Sequence, residues 1–446
     1  MAATPDDVKP KPVETENRPS VRTEAVAGIT TFFTMAYIVV VNPSILAAAG
    51  TGMSFSGVLT ATVLVCFTMT LLMGVYARLP FAVAPGMGLN AFFAYTIIIG
   101  QHVPWPVALG IIFWAGVLFL LISLTPVRAT IARAIPASLR IATAAGIGIF
   151  LSFIGLKNAG LIAPDPVTFV KLGSLGLEAL LTVLGVCLAV WLYVRRSPFA
   201  FLASIFVVTL IAWAAGLVKA PAQLFSRPDF TSTFLKLDIR GALKLALLPA
   251  IVSILFTDLF DSISTFIGVS HAAGLLDERG QPRRLREGLI VDAWATLGAG
   301  LAGSSSGTAY IESIAGIESG GRTGLTSVFT ALCFLPCFFL APLAAMVPPY
   351  ATAAVLLLVG AAMFRSVAAL DFKRIEEALP AFLTVILIPL TFSITQGILW
   401  GFIAHTGLYL LVGRRREIHP VMYALAALSV LLLALEHGRL LELFSR

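Results

Sequence analysis

Four carboxylates stand in sequence that offers them no partner. Asp258, Asp261, Asp292 and Glu312 lie in apolar runs, and no Lys or Arg occurs within 245–278 or 287–321. An ionised side chain at the centre of a bilayer costs on the order of 2.5–3.5 kcal/mol on insertion scales, which makes such residues functional candidates. Residues 253–265 read Ser-Ile-Leu-Phe-Thr-Asp-Leu-Phe-Asp-Ser-Ile-Ser-Thr, so Asp258, Asp261 and Thr265 recur at i, i+3 and i+7 on one helix face. An acid without a base must be protonated, hydrogen-bonded to backbone, or paired with a visiting ligand. A carboxylate facing a cavity accepts the N–H groups of a flat heterocycle, and in its acid form it carries a proton. Asp258 and Glu312 are the candidates for both tasks. Asp261 and Asp292 are expected to support the site and the coupled proton, with helix–helix hydrogen bonding as the plain alternative for all four. Thr257 and Ser313 adjoin the two leading acids, and Phe92 and Phe260 are placed to stack on a ring. Paired acids also suggest intramembrane aspartyl proteolysis. Against that enzyme reading, Asp258 and Asp261 share one helix and the chain has no Gly-x-Gly-Asp run.

The elements that must position these residues are transmembrane. Of 446 residues, 58% are hydrophobic and only 12% charged, with a mean hydropathy of +0.95. A soluble domain carries roughly 25% charged residues, so no soluble surface can be built here. The +7 net charge is scattered in ones to fours between apolar runs, which excludes nucleic acid as a partner and leaves membrane lipid. A transmembrane helix needs about 20 apolar residues. Spans are expected near 25–46, 56–77, 83–100, 104–125, 137–158, 173–194, 198–218, 245–270, 287–303, 306–320, 323–346, 350–366, 378–396 and 397–413, fourteen in all. With the N-terminus cytoplasmic, the inner segments hold Lys9, Lys11, Arg18, Arg22, Arg78, Arg128, Arg133, Arg140, Arg195, Arg196, Arg279, Arg283, Arg284, Arg286, Arg322, Arg365, Lys373, Arg374 and Arg414 to Arg416. The outer segments hold only Lys157, Lys171, Lys219, Arg227, Lys236, Arg240 and Lys244. One missed span would erase this positive-inside bias. A last apolar run, 420–435, is expected along the inner interface rather than as a further crossing; Arg439 and Arg446 lie in the tail beyond it.

Two spans are interrupted. Span three opens Ala84-Pro85-Gly86-Met87-Gly88-Leu89-Asn90, and span ten follows Gly303-Ser304-Ser305-Ser306-Gly307-Thr308 into Tyr310, Ile311 and Glu312. Pro and clustered Gly disfavour continuous helix. Non-helical backbone at membrane depth is tolerated only against protein or a water-filled cavity. Such segments in corresponding halves point to a secondary transporter's binding site. They are seven spans apart, and an odd offset inverts one copy relative to the other. A shift of 223 residues carries Phe33-Thr34 onto Phe256-Thr257 and Asn90 onto Ser313. The expected fold is therefore an all-α polytopic membrane protein built as a 7+7 inverted repeat.

The remaining candidates read plainly. Cys66, Cys187, Cys333 and Cys337 are small hydrophobes within spans, and His405 belongs to no metal motif. Glu24 favours a helix N-terminus, and Glu318 beside Arg322 has a surface or capping role.

At these residues the chain resembles a known family. Thr23 to Ile38 with Asn42-Pro43, Ala84 to Tyr95, Phe256 to Ser264, and Thr308 to Gly324 (TAYIESIAGIESGGRTG) closely resemble azaguanine-type purine permeases of the nucleobase–ascorbate transporter superfamily. The likeness runs from 23 to 420. The polar first residues (1–22) lack the apolar core of a secretory signal and are expected to form a cytoplasmic tail, and an apolar helix and tail are expected at 417–446. The likeness implies a core domain of spans one to four (23–127) and eight to eleven (241–347), and a gate domain of spans five to seven (128–240) and twelve to fourteen (348–416). It implies short strands in spans three and ten meeting at mid-membrane, and proton-coupled uptake of hypoxanthine, guanine or adenine by a homodimer in the cell membrane. Sodium is the alternative coupling ion, and no other cofactor is implied. Carried over, Asp258 and Glu312 match the family's substrate-binding acids, Asn90 its polar residue in span three, and Asp261 and Asp292 its supporting acids. The uracil/xanthine branch places Asn directly after the span-ten acid, then one residue, then Gly. Here Ser313 follows Glu312 and Gly316 comes one place late, which favours purines without an oxidised C2. An anion transporter of the same fold is the rival, though it would want positive charge at the site.

Overall fold

The computed structural model describes residues 19–125, 134–276 and 282–436. Lys9, Lys11, Arg18, Arg128, Arg133 and Arg279 of the inner-side set lie outside the described residues, as do Arg439 and Arg446 of the tail. In a bilayer only elements that satisfy their own backbone can span, and the apolar runs of this sequence take that form. Each of the fourteen expected spans coincides with one helix, with consecutive helical pieces, or with a strand followed by helix. Among the described residues, eight helices are long and apolar enough to cross a membrane, from Val21–Leu46 to Ile394–Leu411.

The interruptions are the informative parts. Span one is two helices, Val21–Met35 and Ile38–Leu46, joined at Ala36 and Tyr37. Span three is strand β1 (Val83–Pro85), a short helix Met87–Ala91 and a π-helix Phe92–Gly100. Span ten is strand β4 (Gly307–Ala309) and the short helix Ser313–Glu318. The two strands pair antiparallel, Val83 with Ala309, Ala84 with Thr308 and Pro85 with Gly307. Antiparallel pairing of equivalent segments is what an inverted repeat produces. Span eight is the helix Leu248–Ala273 and span nine the helix Leu285–Ala302. Gly316 explains how close span ten sits to span one: a Cβ there would lie 2.0 Å from Thr31 Oγ1 and 2.6 Å from the Ala27 carbonyl.

Three details depart from the expectations. A second two-stranded sheet, the hairpin β2 (Ile162–Asp165) with β3 (Phe169–Leu172), follows span five. Its turn is held by Asp165, which accepts the N–H groups of Val167 and Thr168 at 2.9 and 3.1 Å and pairs with Lys171 at 3.1 Å. Those bonds, the Thr168 N–H foremost, hold its carboxyl below the usual carboxylate range. The boundary between spans thirteen and fourteen falls at Thr391 to Ser393, earlier than expected, because Ser393 caps the helix Ile394–Leu411. The last helix, Pro420–Glu436, does not take the inner-interface position. Its early residues Met422 and Leu425 join the main core with Tyr409, while Leu432 and Leu433 cluster with Leu399 and pack against Leu248 and Val252. It thus runs antiparallel to span fourteen along that helix's height, and burial against spans fourteen and eight outweighs lying at an interface.

Glu24 also does more than favour its own helix. It is fully buried, and its carboxylate accepts the N–H groups of Thr323 and Thr326, both at 3.1 Å, and the Thr326 hydroxyl. It therefore caps span eleven (Gly324–Phe334) from span one. Arg322, next to that cap, donates to the Ile317 carbonyl at 2.7 Å and closes the end of the span-ten helix.

Candidate functional site

A two-stranded ribbon inside an apolar medium has outward-turned N–H and C=O groups on both edges, and each needs a partner. Between the strands, Gly86 N–H donates to the Ser306 carbonyl at 2.8 Å and Tyr310 N–H to that of Ala82 at 2.9 Å. On the β1 edge, Thr70 Oγ1 accepts the Val83 N–H at 2.9 Å and donates to the Val83 carbonyl at 3.0 Å. On the β4 edge, Asp292 Oδ2 accepts the Ala309 N–H at 3.2 Å. Ser313 Oγ accepts the Ala82 N–H at 3.0 Å and donates to the Tyr310 carbonyl at 2.7 Å. Tyr310 in turn donates its hydroxyl to the Pro85 carbonyl. Side chains from spans two, nine and ten thus do for the ribbon what further strands would do in a sheet.

The four acids separate into two kinds. Asp258 and Asp292 are fully buried. Asp258 Oδ2 is bonded by the Thr296 hydroxyl and by Ser306 Oγ at 2.7 Å, which fastens span eight to span nine and to the turn before β4. Asp261 and Glu312 keep partial exposure, and Ile311 beside Glu312 is 57% exposed. Glu312 stands at the N-cap of the span-ten helix and accepts the Tyr37 hydroxyl at 2.7 Å. Among the described residues, the ion pairs join Lys171 to Asp165, Arg374 to Glu377, and Arg414 to Glu376 and Glu417. None of them involves the four acids.

Asn90 is fully buried on the first turn after β1, where its amide donates to Asn42 Oδ1 at 3.1 Å. Asn42 passes the chain on, donating to Thr62 Oγ1 at 2.7 Å and to Ser304 Oγ at 3.0 Å. The network from span three therefore ends on the turn that also carries Ser306 and, through it, Asp258. Several buried polar atoms beside the ribbon have no hydrogen-bond partner among the described residues: Asp258 Oδ1, Asp292 Oδ1, Thr257 Oγ1, Asn90 Oδ1 and Ser305 Oγ. Buried polar groups normally find partners, so acceptors and hydroxyls left over at one place have capacity for a ligand or a proton. Phe260 is 4% exposed and stacks on Phe256, with centroids 5.8 Å apart; both belong to the main core, as does the fully buried Phe92.

Sequence reasoning singled out the acids, Asn90 and Ser313 but passed over Tyr37, Asn42, Thr70 and Thr296. The signal for the first two was present: Tyr37 and Asn42 are polar residues in the 26-residue apolar run Val21–Leu46, and Asn42 precedes a helix-interior Pro43. Thr70 and Thr296 carry no such mark, since a threonine in an apolar helix usually bonds its own backbone.

Crossed, strand-broken spans in inverted copies, with unpaired acids at the crossing, define a polytopic membrane protein of the inverted-repeat transporter fold. The chain belongs to the permease family, whose family profile matches residues 22–399. It is 46% identical over 414 residues to a putative permease of Methanocaldococcus jannaschii, covering 92% of this chain and 94% of the relative. It is 42% identical to the adenine permease AdeP of Escherichia coli, covering 93% of each chain. With the guanine/hypoxanthine permease PbuO of Bacillus subtilis the identity is 38%, covering 93% of this chain and 97% of the relative. Among solved structures, the transmembrane domain of the cyanobacterial bicarbonate transporter BicA shares the fold, with a TM-score of 0.62 at 18% identity over 85% of this chain and 97% of that one.

Proposed function

We propose that this permease takes up purine nucleobases, hypoxanthine, guanine or adenine, by proton symport with alternating access. The observation that carries this reading is near full-length likeness to permeases named for adenine and for guanine/hypoxanthine. The chemistry of the site supports it. A purine offers N–H donors on a flat ring, and the crossing holds acceptors without bases. Positive charge, which an anion substrate would need, is missing from 79–127, 245–278 and 287–321.

In this mechanism the base enters from the outer side between a core body (23–127 and 241–347) and a gate body (128–240 and 348–416). Its N–H edge donates to Glu312 and to the unpaired Oδ1 of Asp258, and its ring lies against Phe260. Asn90 and Ser305 supply polar groups for the other edge. A proton shared among Asp258, Asp261, Asp292 and Glu312 neutralises the loaded site, and the core then moves against the gate to release both inward. The chain acts as a homodimer in the cell membrane with its N-terminus in the cytoplasm.

Uptake of radiolabelled purines into cells stripped of their own purine permeases tests the reading. Saturable uptake is expected, competed by hypoxanthine, guanine or adenine but not by uracil, xanthine or bicarbonate. It should rise as external pH falls and collapse with a protonophore. Absence of purine uptake overturns the substrate, and sodium-dependent uptake indifferent to a protonophore overturns proton coupling.

A further inference from the structure

Tyr37 stands in the turn that joins the two helices of span one, Val21–Met35 and Ile38–Leu46. A buried tyrosine hydroxyl needs a partner, and this one donates to Glu312 Oε1 at 2.7 Å from a fully buried side chain. Thr34, three residues earlier, donates its hydroxyl to the Thr31 carbonyl at 2.7 Å and comes within 3.4 Å of the Glu312 carbonyl, so span one also lies against the main chain of that residue. The Tyr37 ring has a second contact. It meets Phe201 of the span-seven helix Ala200–Ala214 edge to face, with centroids 5.0 Å apart and planes at 66°. Phe199 continues the same seam, 4.6 Å from Phe33 of span one. One side chain therefore touches the candidate carboxylate with its polar end and span seven with its apolar body.

We propose that Tyr37 is a positioning residue that ties the loading of Glu312 to the seam between spans one and seven. The proposal rests on the purine-transport reading and on spans one and seven belonging to bodies that move apart. The two ends of the side chain have separable tasks. The hydroxyl occupies one lone-pair direction of the Glu312 carboxylate and fixes its plane, so an incoming N–H meets an acceptor already oriented. The ring contributes to the aromatic contact that must be given up each time span one slides from span seven. Binding is then governed by the hydroxyl and turnover by the seam.

Initial-rate uptake by Tyr37→Phe and Phe201→Leu, corrected for membrane abundance and accompanied by melting temperatures of the purified proteins, tests this. Tyr37→Phe keeps the ring and loses the hydroxyl. Its KM for purine is expected to rise about tenfold, the factor expected for one charge-assisted hydrogen bond, with Vmax within about twofold. Phe201→Leu keeps the hydroxyl bond and loses the edge-to-face pair, and is expected to change Vmax by about threefold or more with KM within about twofold. A wild-type KM in Tyr37→Phe overturns the proposal, as does a raised KM with lowered Vmax common to both variants that tracks a lowered melting temperature. Should Tyr37→Phe not accumulate, Phe201→Leu decides alone: an altered KM with unchanged Vmax overturns the division of tasks. Wild-type protein that moves no purine overturns the transport reading itself, which separates that failure from this one.

Discussion

The two copies of the crossed strand are built on one backbone plan and secured by opposite chemistry. In the first copy the outward edge of β1 is satisfied by a neutral hydroxyl, Thr70, which serves both the N–H and the C=O of Val83. In the second copy the outward N–H of β4 goes to a carboxylate, Asp292, from the span that corresponds to Thr70's own. The helices that follow differ in the same sense. Met87–Ala91 is enclosed, and its polar side chain, Asn90, is tied to Asn42. The span-ten helix begins at Glu312, which is partly exposed and whose side chain accepts the Tyr37 hydroxyl of span one. The copies share a strand-pairing plan and differ in charge, and on the proposed transport reading the first is a fixed neutral floor while the second carries the charge that substrate and proton change.

The largest effects should come from the charged copy. Glu312→Ala and Asp258→Ala are each expected to lower purine uptake at least about 100-fold, since each removes an acceptor of charge-assisted hydrogen bonds. Undiminished uptake in either variant would remove that acid from the site. Next comes the floor. Thr70→Val keeps the side chain's shape but leaves two buried backbone groups of Val83 unpaired, at a cost of about 3 kcal/mol in stability. Thermal or denaturant unfolding of the purified protein measures it, and a loss below about 1 kcal/mol would mean that the β1 edge finds another partner. Asn90→Ala comes third, with KM raised about tenfold and Vmax little changed if the amide meets the ring's second edge. A fall in Vmax at constant KM would instead assign the Asn90–Asn42 chain to movement.

Much of this arrangement was legible before any coordinates. The fourteen spans, the two interruptions and their inverted relation followed from Gly, Pro and charge placement, because the membrane penalises departures from apolar helix severely enough to leave a mark in sequence. The acids stood out for the same reason. Their division into buried and open pairs did not: Asp258 and Asp261 sit three residues apart on one helix, yet Thr296 and Ser306, far along the chain, decide that Asp258 is the one enclosed. Tyr37 is marked as a polar residue in an apolar run, but its partner is not, since its role depends on Glu312, 275 positions later. The last helix was misplaced because an apolar stretch after Arg414 to Arg416 suits an interface as well as a crossing; only its contacts with Leu248 and Val252 choose.

The smallest expected effect separates geometry from charge at a single atom. Asp292 touches the ribbon through Oδ2, which accepts the Ala309 N–H, while its Oδ1 has no partner among the described residues. Asp292→Asn retains an amide oxygen that can take the same N–H and removes the ionisable group. If the residue's structural task is that one bond, the substitution should cost less than about 1 kcal/mol, well under the loss from Thr70→Val. Asp292→Ala, which leaves the Ala309 N–H unpaired, should cost about 2 kcal/mol. Melting curves of the three variants side by side make the comparison. Equal losses for Asn and Ala would show that negative charge, rather than an acceptor in the right place, secures β4, and the two copies would then differ in their floors as well as in their sites. A harmless Asn with lowered proton-driven uptake would leave β4 and β1 equivalent as scaffolds, and the unequal charge of the second copy would belong to transport alone.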